Sequence, residues 1–440
     1  MTIEPTDVSV YQRRRERLQA FMDDALWIIP TNPEVSRNAD SQYAYRWNSG
    51  FYYLTGCKEP DAVLVLMSGV NPRSILLVRS KDPVREQWEG IRLGPQGAQS
   101  QLGFTESYAI EELDQLVHSL LPHVSSLVSF LGFSQYWDQR LMGWLEYMRR
   151  MTRQGFRPLS GLLEARCFVD EMRLIKDSHE LAIMQKSASI AGIAHQRAMQ
   201  KIKPGLWEYQ IQAEIEHEFR SQGALTPAYN TIVASGANAC ILHYIENEAQ
   251  LISGDLILID AGCEYQSYAS DITRTVPVNG RFNGPQRDLY EVVLAAQLGA
   301  IEQVQVGTPF VAYHQTALRI LVQGLLDLKI CCGSVDSVLE TEAYKPFYMH
   351  KTGHWLGLDV HDAGYYVQAG QSRLLESGMV LTVEPGLYIP PLPTVPVAFW
   401  HLGIRIEDDV QVTGAGPLVL TQEVVKTVTA IEHWMHSDEK

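Results

Sequence analysis

Four acids in the second half of the chain stand where carboxylates can do chemistry. Asp260 ends the apolar run Leu256-Ile257-Leu258-Ile259, and Asp271 lies in the β-branched stretch around Ile272, Thr273 and Thr275. If the segment folds back as a hairpin centred between Tyr265 and Gln266, the two acids face each other across it. Carboxylates so placed repel unless a cation sits between them. Taken singly, they are equally two solvated acids at strand ends. Glu384 closes the run MVLTV and is followed by Pro385-Gly386. Glu407 falls in HLGIRIEDDV, where alternation sets Leu402, Ile404 and Ile406 on one face and Arg405, Glu407 and Asp409 on the other. An acid at the end of a hydrophobic strand is costly if buried and unpaired. Between the pairs lies HKTGHWLGLDVHD, with His350, His354 and His361, and His243 in ILHYIENE is a fourth imidazole. Carboxylates with one or two imidazoles suit Mn²⁺, Co²⁺ or Fe²⁺ better than a thiolate zinc site. Four carboxylates balance two divalent ions, which about 3.5–4 Å apart can share a bridging hydroxide. The signatures of HExxH proteases, P-loop enzymes and GxSxG hydrolases are absent.

These runs need a frame to hold them. At 440 residues the chain is long enough for two or three domains. A net charge of −15 argues against nucleic acid or an acidic membrane as partner. The six cysteines have no C-x-x-C spacing, which suits reduced thiols in a cytoplasmic protein. The first residues lack a leader's apolar core, and no run approaches the ~18 apolar residues of a spanning helix. Tyr11–Phe21 is expected to be a basic helix with a solvated face. Strands are expected at Leu26–Ile29, Ala62–Leu66 and Ser74–Val78, and helices at Glu111–Leu121 and Gln139–Met151. The aromatic-rich stretch Asp40–Gly56 fits packing better than a ligand surface. The alternation predicts an α/β domain over 1–172.

A second domain is expected over 173–440. Asp177 with Glu180 forms a capping-box signal. Met184, Ala188, Ala191, Ala194 and Ala198 then keep helical spacing on one face. A helix, Pro204-Gly205, a second helix from about Trp207 to Gln222 and strands recur about a hundred residues on, with Gly307 in the role of Gly205. Such a duplication predicts a pseudo-two-fold domain with a site where its halves meet.

Asp260, Asp271, His354, Glu384 and Glu407, in that order, resemble the five-ligand dimetal site of the pita-bread metallopeptidases, which include methionine aminopeptidase, prolidase and aminopeptidase P. The strings IDAGCEYQSYASDITRT, GHWLGLDVHD, VLTVEPGLYI and GIRIEDD carry the likeness. RNADSQYAYRWNSGFYYLTG, WEGIRLG and YNTIVASGANACILHY make it greatest for the Xaa-Pro aminopeptidase branch. The resemblance implies an α/β N-terminal domain and an α+β pita-bread catalytic domain. It also implies release of the first residue from peptides with proline second, by a metal-bridging hydroxide. The alternatives are a strict Xaa-Pro dipeptidase or, more remotely, an inactive binding protein. Asp260 is then a ligand of one metal, Asp271 and Glu407 bridge both, and His354 and Glu384 complete the other. The resemblance makes Glu384 the proton shuttle, gives His243 and His361 substrate and oxyanion contacts, and sets His350 along the proline-side pocket. Tyr388 is placed with the substrate-binding residues, and Arg405 orients the acids. Asp40 and Trp88 contact the substrate's amino end or wall the site, and can do so from a neighbouring subunit. The implied metals are two divalent ions, Mn²⁺ first, with Co²⁺ or Zn²⁺ as substitutes. The implied assembly is a homo-oligomer, dimer or tetramer. Two departures stand out: Lys351-Thr352-Gly353 ahead of His354, which puts an extra charge beside the site, and the loop GYYVQAGQSR after His361.

Overall fold

The structure, a computed structural model, describes residues 7–437. It divides into two compact units between Arg173 and Leu174. The first six residues, part of the stretch read as lacking a leader's core, lie outside the described residues. No helix among the described residues is long and apolar enough to cross a membrane.

In the first unit, α1 (Ser9–Gln19) leads to β1 (Ala25–Pro30), buried throughout. Then come α2 (Ser49–Thr55), β2 (Val63–Met67), β3 (Arg73–Val78) and α3 (Pro83–Glu89). Further along come β4 (Glu106–Ala109), β5 (Ser126–Ser129), α4 (Gln135–Met151) and β6 (Gly161–Glu164), and a helix over Arg166–Leu174 reaches the unit boundary. The strands make one mixed sheet in the order β4-β3-β2-β1-β5-β6. An unbroken apolar run such as that of β1 is what a strand covered on both faces requires. α2 starts at Asn48, which accepts from the Phe51 N–H, and stops at Gly56 in the left-handed region. A side chain at Gly56 would run into the Tyr11 ring.

The basic run in α1 departs from expectation. Arg13 and Arg17 are exposed, but Arg14 and Arg15 are buried. They donate to the Tyr53 and Leu54 carbonyls at 3.3 and 2.9 Å. Their guanidinium groups lie 4.1 Å from the ring centres of Tyr53 and Phe104. Orphan carbonyls at a helix C-terminus attract cations, and aromatic faces complete the cradle.

The second unit repeats itself. α5 (Ser178–Lys201) begins with the expected Asp177/Glu180 capping box and buries Met184, Ala188, Ala191, Ala194 and Ala198. It is followed by α6 (Glu208–Ser221), β7 (Ile232–Ser235), β8 (Leu256–Asp260), β9 (Cys263–Tyr265), β10 (Tyr268–Ala269) and β11 (Thr273–Pro277). The second half has α7 (Gly284–Ile301), α8 (Val311–Asp327), β12 (Val380–Val383), β13 (Gly386–Tyr388), β14 (Gly403–Arg405), β15 (Asp408–Thr413) and β16 (Gly416–Val419). β7-β8-β11 and β12-β15-β16 form matching three-stranded sheets. The match extends to single hydrogen bonds. Gly205 N–H donates to the Leu251 carbonyl, and Leu251 N–H returns a bond to Leu206. Gly307 donates to Leu375, which returns a bond to Thr308. Gly254 and Gly378, just before β8 and β12, both have positive φ, 97° and 95°. All four helices share one apolar core with the strands of both halves.

Within that core α5 carries His195, fully buried, with Nε2 2.9 Å from the Ala261 carbonyl. Burial pushes its pKa down to about 4, so the fold holds the neutral ring. The unfolded chain takes up a proton below about pH 6.5 and the native state does not. Stability from this group is therefore complete above about pH 6.5 and drains as pH falls towards 4, by roughly 2–3 kcal/mol. His195→Gln, which keeps a donor for the Ala261 carbonyl, is expected to flatten that limb in urea unfolding followed against pH. An unchanged limb would count against the assignment.

Candidate metal centre

β8 delivers Asp260 at its end, and the chain returns through β9 and β10 to β11. The hairpin is centred one residue later than the sequence suggests. Its turn is Gln266-Ser267, both with positive φ (47° and 75°), and Tyr265 pairs with Tyr268. Asp260 therefore faces Thr273, and Asp271 lies off the β11 ladder. The chain closes tightly beside it: a side chain at Gly262 would stand 1.7 Å from the Ser270 carbonyl oxygen and 3.2 Å from the Asp271 Cα. The two acids still converge, through Tyr229. Its hydroxyl is 2.6 Å from Asp260 Oδ1 and also contacts Asp271 Oδ1.

The second half supplies the rest. Glu384 follows β12 directly, and Glu407 precedes β15, whose Asp408 pairs with Val383. Glu407 joins the halves: its N–H donates to the Thr273 carbonyl at 3.1 Å, and Thr273 Oγ1 donates to its carboxylate at 2.7 Å. His354 lies on a segment that hydrogen-bonds along β12, its carbonyl accepting from the Thr382 N–H at 2.9 Å. Close approach there needs Gly353, where a side chain would meet the Thr382 carbonyl.

Asp271, His354 and Glu407 each bring one donor atom within 4.8 Å of the others. His354 Nε2 is 3.5 Å from Asp271 Oδ2 and 3.6 Å from Glu384 Oε1. Its Nδ1 faces the Trp355 carbonyl at 2.9 Å, which fixes a proton on that nitrogen and aims Nε2 at the acids. Asp260 stands beside this group, gripped at 2.7 Å by Arg405 and by Tyr229.

The electrostatics ask for a cation. Burial and the neighbouring acids hold the carboxyls of Asp271 and Glu407 above their ordinary range, and burial lifts Glu384 to about 7. Burial works against a charge on His354, but its bond to Asp271 and the field of Glu384 outweigh that and push it up to about 9. Protein atoms alone thus leave a proton on His354 to balance the acids. A divalent ion reverses these shifts, and the oxygen-rich donors with one imidazole fit a hard or borderline metal.

The cluster forms the floor of a cavity of about 990 Å³ whose lining includes His243, His350 and His361. His361 packs edge-on against His354, ring centres 4.2 Å apart. His350 is kept neutral by burial, its pKa lowered to about 4. Its Nδ1 donates to the Lys351 carbonyl, and its Nε2 accepts from the Tyr388 hydroxyl at 2.9 Å. Tyr388 in turn accepts from Arg405 at 2.8 Å. Tyr388 is 1% exposed and does not line the cavity, so it stands behind His350. Asp40 lies in the exposed turn of the ribbon Ser36–Asn38/Ser41–Gln42, and Trp88 is 86% exposed on α3. Every residue lining the cavity comes from the second unit.

Four site residues escaped the sequence reading as participants: Tyr229, Thr273, Thr382 and Asp409. Asp409 is buried, takes the Asp271 N–H on Oδ2 at 3.1 Å and leaves Oδ1 without a partner. Strand alternation did put Asp409 on the face of Arg405 and Glu407. Nothing in residue type marks Tyr229.

Two repeated α+β halves that meet on a buried, oxygen-rich donor cluster define a metallopeptidase of the pita-bread class. The chain belongs to metallopeptidase family M24, whose profile it matches over residues 182–414, and residues 11–128 match the N-terminal domain of aminopeptidase P. It is 45% identical to the Xaa-Pro aminopeptidase of Escherichia coli K12 over 428 residues, 97% of each chain. Aminopeptidase PepP of Pseudomonas aeruginosa superposes with a TM-score of 0.96 at 44% identity, covering 98% of this chain and 99% of that one. Escherichia coli aminopeptidase P with the inhibitor Pro-Leu gives 0.95 at 44% identity and the same coverage.

Proposed function

We infer that this chain is a metallo-exopeptidase that releases the first residue of peptides whose second residue is proline. The observation that carries the reading is the Asp271–His354–Glu407 cluster, with Glu384 beside it, in a cavity of about 990 Å³. The full-length likeness to Xaa-Pro aminopeptidases sets aside the strict dipeptidase reading. The relative's inhibitor, Pro-Leu, is the fragment left when Xaa-Pro-Leu loses one residue.

Asp260, Asp271, His354, Glu384 and Glu407 are the residues that hold two divalent ions, Mn²⁺ in the first instance and Co²⁺ or Zn²⁺ in its place. Such ions supply a Lewis acid and an acidified water at neutral pH. Arg405 and Tyr229 orient Asp260. Thr273 fixes one oxygen of Glu407, and Thr382 approaches Glu384 at 3.4 Å. Glu384 takes a proton from the attacking water and returns it to the proline nitrogen. His243 and His361, both on the cavity wall, offer N–H donors to the carbonyl oxygen as charge develops on it. His350, held neutral and aligned by Tyr388, walls the proline side, and Phe310 and Tyr366 add apolar surface suited to a pyrrolidine ring. We read the chain further as a cytoplasmic homo-oligomer, dimer or tetramer. The exposed Trp88 and the exposed Asp40 turn are available to a neighbouring subunit's site.

The test is hydrolysis of Ala-Pro-Leu, Ala-Ala-Leu and Ala-Pro by enzyme stripped with EDTA and then given Mn²⁺. Alanine release from Ala-Pro-Leu, absent without metal and absent for Ala-Ala-Leu, is the expected result. Cleavage confined to Ala-Pro would return the dipeptidase. Bound metal with no cleavage of any proline peptide would make the chain a binding protein.

A further inference from the structure

One charge on the cavity wall has no part in the site so far. Lys351 is exposed to the cavity, next in sequence to His350. Among the described residues its ammonium meets no carboxylate. The other cation on the wall, Arg405, is committed to Asp260 at 2.7 Å. All four acids of the lining belong to the metal-site floor. Within its largely apolar lining the cavity therefore carries a negative floor and one positive group that faces no carboxylate, on the residue next to His350. His314, also on the wall, adds no second charge: burial and then the Lys351 charge lower its pKa to about 4.

We propose that Lys351 binds a carboxylate carried by the residue after proline, so that the enzyme prefers substrates with a negative charge at that position. This rests on the Xaa-Pro reading above. With the scissile carbonyl over the cluster, an extended peptide places its third residue's carboxyl about 7 Å further on. His350 spans the first part of that distance, its Nδ1 3.9 Å from Glu384 Oε2. The flexible four-carbon stem of Lys351 covers the remainder. Like charges repel, so the substrate's free ammonium is driven from Lys351 towards the acids, which fixes the direction of the peptide. The carboxylate has two sources, the chain terminus of a tripeptide or an acidic third side chain.

Both are tested by kcat/KM on paired substrates: Ala-Pro-Ala against its C-terminal amide, and Ala-Pro-Asp-amide against Ala-Pro-Asn-amide. Wild-type enzyme is expected to favour the charged member by about three- to tenfold, in KM rather than kcat, and to lose the preference in high salt. Preference in the first pair assigns the terminal carboxylate, and preference in the second the side chain. Lys351→Met should bring the ratio close to one, and Lys351→Arg should keep it. Equal rates for both members in the wild type, or a ratio that survives Lys351→Met, would overturn the proposal while leaving the Xaa-Pro reading intact. Failure to cut any of the four peptides would overturn both.

Discussion

Asp271→Asn is expected to abolish tight metal binding and, in chelated protein, to make the fold more stable. Asp271 is 5% exposed and faces Asp260 through Tyr229, His354 directly and Glu407 within the cluster. Each neighbouring carboxylate raises the cost of its charge. The amide keeps the shape and can still accept the Tyr229 hydroxyl. It removes one buried charge from a crowded set, a gain of about 1–2 kcal/mol without metal. With metal the sign inverts, because an amide is a poor ligand in a position where a carboxylate would hold the ion. Metal analysis should show near-complete loss. Mn²⁺ should no longer raise the melting temperature, and activity should fall on the order of a thousandfold. Asp260→Asn is expected to lose less metal, since Asp260 stands outside the tightest group and is tied to Arg405. An Asp271→Asn protein that retains full metal and full activity would remove Asp271 from the site.

Lys176→Met is expected to carry a large cost to stability away from the metal-site floor. Lys176 Nζ and Asp362 Oδ2 are 2.9 Å apart with both side chains 1% exposed. Asp362 is next to His361 and is packed so closely on Gly357 that a side chain there would meet its carboxylate at 2.1 Å. Removing the lysine takes the ion-pair partner from a buried carboxylate that still accepts from the Asp359 N–H at 3.4 Å, a loss on the order of 3 kcal/mol. The loop carrying His354 and His361 loses its anchor to the segment ahead of α5. Urea unfolding should show the loss. The pair Lys176→Met with Asp362→Asn should recover part of it, because the buried negative charge that the lysine balanced is gone as well. A single-variant cost below about 1 kcal/mol would mean that water or another group compensates.

The sequence made the strand-end acids and the duplication legible for one physical reason: both are written in local pattern. Asp260 and Glu384 each end an apolar run of buried-strand length, and Gly205 and Gly307 each break a helix-to-helix passage with a positive φ. Register was less accessible. Gln266-Ser267 takes a turn that Asn-Gly would have advertised, so the hairpin centre shifted by one residue and the partner of Asp260 changed. Contacts distant in sequence left no local trace. The carbonyls that bury Arg14 and Arg15 come from α2, and Asp362 lies far along the chain from Lys176. Tyr229 and Thr273 are ordinary residues whose roles arise only from what the fold sets beside them.

The duplication also distributes the donors. Asp260 and Asp271 come from the first half, and His354, Glu384 and Glu407 from the second, so neither half alone owns a complete set. An ion gripped jointly by Asp271 and Glu407 closes a loop of well over a hundred residues. A disulfide across a loop of about 100 residues is worth about 4.7 kcal/mol in the chain-entropy account. The centre would then be a removable cross-link, added to the shared apolar core and the Glu407–Thr273 bonds that already hold the halves together. An ion bound there would add to the durability of the second unit as well as to its chemistry.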